Sequence, residues 1–146
     1  MFERDVVHHP GAVAIIAVED DHLWMVRQYR PALDAFLLEI PAGLRDVSGE
    51  PTVDTARREL REEVGLEAGS MELVMSFHNS IGFCDELIDL FLATDLREVD
   101  RAVTDSPEEV DMDVLRVPVD TARSWIRDGT ITDAKTIIAV LQLGDA

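Results

Sequence analysis

The chain holds a single cysteine, Cys84, among 146 residues, which excludes an intramolecular disulfide and a cysteine-based zinc site and fits a reducing, cytoplasmic setting. Aromatic residues are scarce at 5%. Phe77, Phe83 and Tyr29 could each stack on a base, but core filling is the commoner use of such residues, and Trp24 and Trp125 default to packing. No apolar run approaches the roughly 18–20 residues of a bilayer-spanning helix, and the opening MFERDVVHH lacks a signal-peptide core. Positive charge is also short. Thirteen Lys and Arg, twelve of them Arg, face thirty Asp and Glu, for a net charge of −17. That balance disfavours duplex nucleic acid and anionic membranes as partners, because binding either relies on neutralising phosphates with basic residues. A phosphorylated small molecule is repelled as well, unless a bound cation intervenes.

What is present is 47% hydrophobic residues, enough for one well-cored domain over 1–146 and too short a chain to favour two. His9-Pro10-Gly11 is a turn signal, and residues 12–18 read as a buried strand that stops at Glu19-Asp20-Asp21. Residues 23–28 return as a hairpin, and 36–40 form another strand. Further strands are expected at 71–78 and 86–93 around a loop of residues 79–85, then an acidic connection over 95–113 and a strand at 114–117. Two helices close the chain, one over 121–128 capped by Asp120 with Gly129 past its end, the other capped by Thr132 or Asp133 and running to about Gln142. His8 and His9 point to different sides of an extended chain, cannot readily share a metal, and receive no role.

Between the strands lies the most informative stretch, residues 42–66, AGLRDVSGEPTVDTARRELREEVGL. With Leu60 as zero and about 100° per residue, Val53, Ala56 and Val64 fall within about 40° of it, one apolar stripe of a helix. Glu63, Glu59 and Glu62 then lie at about −60°, −100° and −160°, and Arg57, Arg61 and Arg58 at about +60°, +100° and +160°. Like charges one turn apart, as at Glu59 and Glu63, cost a few tenths of a kcal/mol. A hard dication such as Mg²⁺ or Mn²⁺ would offset that cost, since it takes oxygen ligands and keeps positions for water and phosphate. The alternative is a charge-rich solvated helix ended by Gly65. Pro41-Ala42-Gly43, following the strand at 36–40, is a tight turn whose small residues let backbone approach a ligand closely.

Glu50, seven residues, and then Arg58-Glu59-Leu60-Arg61-Glu62-Glu63-Val64-Gly65-Leu66 resemble the Nudix box, with six residues in place of five between Gly43 and Glu50. His9-Pro10-Gly11-Ala12-Val13, Gln28-Tyr29-Arg30, Glu39-Ile40-Pro41-Ala42-Gly43, Ser80-x-Gly82 with Glu86, and Gly129-x-Ile131-x-Asp133-Ala134 are similar to segments of the ADP-ribose pyrophosphatase branch. The resemblance implies an α/β fold, the Nudix α/β/α sandwich around a mixed β-sheet. It implies hydrolysis of a nucleoside diphosphate-sugar, ADP-ribose first, to AMP and ribose 5-phosphate with Mg²⁺, Mn²⁺ being the alternative. The Ala42 carbonyl, Glu59 and Glu63 are the implied metal ligands, with Glu62 close by. Arg58 would orient the glutamates, Arg30 and Gly43 would meet substrate, Arg30 gripping the diphosphate or adenosine, and Glu86 would meet substrate, bind metal or position water. Glu109, with Glu108 as the alternate, would accept the proton of a water of lowered pKa attacking phosphorus in line.

Ile81 stands where that branch usually has proline, which keeps other nucleotides open: a nucleotide sugar, a dinucleoside polyphosphate or an oxidised nucleoside triphosphate. A non-catalytic nucleotide-sensing module is the remaining reading, disfavoured because Glu59, Glu62 and Glu63 are all present. The expected single domain lacks the N-terminal swap domain common in the branch, so a homodimer is left open.

Overall fold

In the computed structural model, residues 3–101 and 112–144 are described. Four strands come first: β1 (Ala12–Glu19), β2 (His22–Arg30), β3 (Ala35–Glu39) and β4 (Ala42–Leu44). Helix α1 (Thr52–Glu59) continues into a π turn, Leu60–Val64. After it come β5 (Leu66–His78), β6 (Leu87–Glu98) and β7 (Asp113–Pro118), then α2 (Val119–Arg127) and α3 (Ala134–Gln142).

The β1–β2 hairpin turns on Asp20 and Asp21, both at positive φ (49° and 58°), as a two-residue primed turn requires. Strand β1 is the hinge of the sheet. Its first half pairs antiparallel with β4 and parallel with β6, while its end pairs with β2. Strand β2 is flanked by β3 and β7, and β5 pairs with β6, so the sheet is mixed.

Alternation along β1 decides the layers. Ala12, Ala14 and Ile16 pack into one cluster with Val119 and Ala122 of α2 and Ala139 and Val140 of α3. Val13, Ile15 and Ala17 pack into the other with Ala56, Leu60 and Val64 of the box segment. Successive side chains of a strand face opposite ways, so a strand buried throughout must be covered on both sides. The result is the expected α/β/α sandwich. A fully buried Ile15 or Leu60 contributes about 1.5–3 kcal/mol relative to exposure.

Several limits differ from the sequence reading. Strands β5 and β6 run together as a ribbon from Leu66↔Glu98 to His78↔Leu87, longer than 71–78 and 86–93. The added part carries charged residues, which the ribbon pairs across strands, as in the Arg97–Glu67 ion pair, instead of burying them. The acidic connection is shortened to match, and Glu86 sits just before β6. Asp120 does not cap α2: Pro118 holds the N-cap position and Asp120 falls in the first turn. Of the two proposed caps for α3, Asp133 serves, accepting from the Thr136 N–H. Trp24 and Trp125 pack against the two clusters, as expected.

Candidate active site

The π turn repositions the box glutamates. A π turn closes i→i+5 bonds and so advances fewer degrees per residue than an α turn. Glu63 is therefore rotated back toward the azimuth of Glu59, and both end buried. Gly65 ends the turn in the left-handed conformation (φ 73°), where a Cβ would be strained.

The loop ahead of the helix is fitted to these two carboxylates. Ile15 N–H donates to the Pro41 carbonyl and Arg45 N–H to that of Gly11, so the Ala14↔Ala42 pair between them is a non-hydrogen-bonded one. Both backbone groups of Ala42 consequently face away from β1, and its N–H donates to Glu63 Oε2 at 2.9 Å. Gly43 lies against Glu59. A Cβ there would come within 2.0 Å of the carboxyl carbon and 2.2 and 2.4 Å of its oxygens.

Arg58 binds four acids at once: Glu59 (Nη1–Oε1 2.6 Å), Glu62 (Nη1–Oε2 3.1 Å), Glu50 (Nη2–Oε2 3.3 Å) and Asp46 (Nη2–Oδ1 3.5 Å). Burial works against its charge. The hydrogen bond to Glu50 and the fields of Glu59, Glu50 and Glu62 outweigh it and hold its pKa above the ordinary value. Glu50 is lowered in turn by the Thr55 hydroxyl and then by Arg58. Arg58 thus ties these four carboxylates together.

These groups line a cavity of ≈ 610 Å³, which opens where the α1 layer and the α3 layer both reach the edge of the sheet. The cavity also receives Arg30, Glu39, Glu86, Asp133, Lys135, Gln28, Asn79 and His9. Arg30 is in the expected place but its Nε–Nη2 edge is spent on Glu39, at 2.6 and 2.7 Å. One Glu86 oxygen accepts from Asn79 Nδ2 at 2.8 Å, and the other lies 3.6 Å from His9 Nε2. His9 Nδ1 accepts from the Gly11 N–H, so the neutral ring carries its proton on Nε2, toward Glu86.

His9 was given no role from sequence, and Glu39 and Lys135 were not singled out. A polar residue closing an apolar strand and the chain's only lysine were the available signals. The two adjacent histidines do diverge, His8 pairing with Asp85 outside the cavity. Ile81 is 80% exposed and does not line the cavity. Glu108 and Glu109 lie outside the described residues.

Among the described residues, seven carboxylates line the cavity against three cations, Arg30, Arg58 and Lys135. No three acidic, histidine or cysteine side chains among them form a closed metal cage. Glu59 and Glu63, with the Ala42 backbone turned toward them, make an open half-site instead. That donor set suits a hard dication that keeps waters and completes its shell with substrate oxygens, and the net negative charge of the described lining suits it electrostatically.

A family model described as NUDIX domain matches residues 7–138. The chain belongs to the Nudix family and is a Nudix hydrolase. It is 45% identical to the ADP-ribose pyrophosphatase of Mycobacterium tuberculosis, over 94% of this chain and 67% of that one. It is 42% identical to the methanol dehydrogenase activator of Bacillus methanolicus, over 99% of this chain and 78% of that one. The crystal structure of an ADP compounds hydrolase superposes with a TM-score of 0.80 at 26% identity, covering 91% of this chain and 70% of that one. Nudix ADP-ribose pyrophosphatases depend in general on divalent metal and act on small nucleotides. No described helix is long and apolar enough to cross a membrane.

Proposed function

We propose that the protein hydrolyses the diphosphate of ADP-ribose to AMP and ribose 5-phosphate, with Mg²⁺ as the working metal and Mn²⁺ as its substitute. The observation that carries the reading is the fit of Ala42 and Gly43 to Glu63 and Glu59, an acidic half-site of the donor type that a hard dication prefers. The kinship to an ADP-ribose pyrophosphatase supplies the substrate. Glu59, Glu63 and the Ala42 carbonyl would hold the metal, with Glu62 beside them. Bound there, the metal neutralises the diphosphate and makes water a better nucleophile at neutral pH.

Arg58 keeps the glutamates aligned. Gly43 lets the loop close on Glu59, and Arg30 and Glu86 present donors and acceptors to the substrate. The proton leaving the water goes to Glu109, with Glu108 as alternate. One P–O bond forms to water, and the bridging oxygen leaves with the other phosphate. The test is turnover of ADP-ribose with Mg²⁺, followed as AMP, for wild type and Glu63→Gln. Loss of a metal-holding charge should lower kcat by about 10³-fold, the several kcal/mol that metal-centred charge stabilisation supplies. Turnover that survives chelation, or an unimpaired Glu63→Gln, would overturn the reading.

A further inference from the structure

Lys135 stands in the first turn of α3, on the opposite face of the sheet from the box helix, yet its side chain reaches the same cavity. It is the only lysine of the chain, and its side chain is 12% exposed. Its ammonium donates to Glu39 Oε2 and, at 3.0 Å, to Asp133 Oδ1. An ammonium has three donors, so two partners among the described residues leave one for the cavity.

Both partners are themselves fixed. Glu39 is 1% exposed and is clamped by Arg30 as well. Asp133 Oδ2 accepts from the Thr136 N–H and hydroxyl, and that hydroxyl oxygen accepts from the Ile40 N–H. A lysine normally loses considerable rotamer entropy when it binds a ligand. Here the fold has already ordered the side chain, as a preorganised binding group would be.

The chemistry of the cavity indicates what Lys135 meets. None of the described residues lining it is Phe, Tyr or Trp, so the cavity offers a base no large stacking ring, whereas an N–H donor suits a phosphate or a ribose hydroxyl. The box wall already supplies the place for the metal-held phosphate.

We propose that Lys135 is a substrate-binding residue that recognises the ribose 5-phosphate half of the substrate, with Glu39 and Asp133 as its positioning residues. This rests on the ADP-ribose reading above for the identity of that half. A lysine that was only a strut between α3 and β3 would change stability and leave ligand discrimination alone.

The test is calorimetric titration of ribose 5-phosphate and, separately, AMP into wild type and Lys135→Gln in Mg²⁺ buffer. Ribose 5-phosphate should bind wild type and weaken about tenfold or more in the variant, as loss of one charge-assisted hydrogen bond implies. AMP affinity should change less than about twofold on the same scale. Equal weakening of both ligands, unchanged ribose 5-phosphate affinity, or no binding of it to wild type would overturn the proposal.

Should Lys135→Gln fail to fold, reductive methylation of wild type decides instead, because peptide mapping reports a single lysine. Ribose 5-phosphate should slow its modification, AMP should not, and absence of that protection counts against the assignment. If wild type leaves ADP-ribose intact while ribose 5-phosphate binding still depends on Lys135, the substrate reading fails and the role of Lys135 stands.

Discussion

The two walls of the cavity are built on inverse plans. On the box wall one cation, Arg58, serves four carboxylates, Glu50, Glu59, Glu62 and Asp46. On the α3 wall one buried carboxylate, Glu39, serves two cations, Arg30 and Lys135. The first wall is left with surplus negative charge and calls for an external cation. The second is neutral once Asp133 is included, and it presents N–H groups held in place. A diphosphate needs both, because metal alone binds any phosphate and hydrogen-bond donors alone would not overcome the surrounding carboxylates. Division of labour between the layers is what the sandwich contributes.

Gly43→Ala should break the comparison most severely. Its Cβ would lie within about 2.0 Å of the Glu59 carboxyl, so the loop or the glutamate must shift. Misplacement on the order of 1 Å costs about 10²-fold in rate. Steady-state kinetics should therefore show such a loss, with the affinity for ribose 5-phosphate on the far wall retained; full activity would mean that Glu59 can move without harm.

Arg58→Met sharpens the electrostatic half of the argument. Removing the one cation among four acids should cost about 3 kcal/mol in metal-free buffer. Added Mg²⁺ should then raise the melting temperature by more in the variant than in wild type, because the metal meets more unpaired charge. An equal rise in both would show that surplus charge is not what the metal senses.

Acid titration gives the smallest effect. Burial raises the pKa of Glu39, but its bonds to Arg30 and its attraction to Lys135 overcome this and leave it below the ordinary 4.5. With a lowered folded value, the carboxylate contributes its stability fully above 4.5 and loses it as the pH falls through the folded value. Glu50 has the same sign. Denaturant unfolding at successively lower pH should hold these two contributions constant down to 4.5 and lose them below it. An early loss in wild type that Glu39→Gln abolishes would reverse the sign assigned to that group.

Much of this was legible along the chain. The unbroken apolar run over residues 12–18 marked a buried strand, and the stripe through Val53, Ala56, Leu60 and Val64 marked a helix. The run from Glu50 to Leu66 pointed to metal chemistry. The π turn was not legible, because its pattern of apolar residues is nearly that of an α-helix over so few positions. Nor was the length of the β5–β6 ribbon, whose added end turns only Leu66, Ala68 and Leu96 inward among charged and small residues. His9 and Lys135 were hidden for a related reason: a lone polar residue has no period.

Composition and local pattern by themselves determined that the chain is strongly acidic, where its helices and most strands lie, and which glutamates are candidates for metal. Those properties depend on neighbours a few residues apart. Only the tertiary structure decided that Arg30 is shared with Glu39, that His9 faces Glu86, and that a lysine from the last helix enters a cavity begun by the first. These depend on which side chains the crossing layers bring within about 3 Å of one another, and the pairs Glu39–Lys135 and Ile40–Thr136, each 96 residues apart in sequence, meet only after the sheet has closed between the two helical layers.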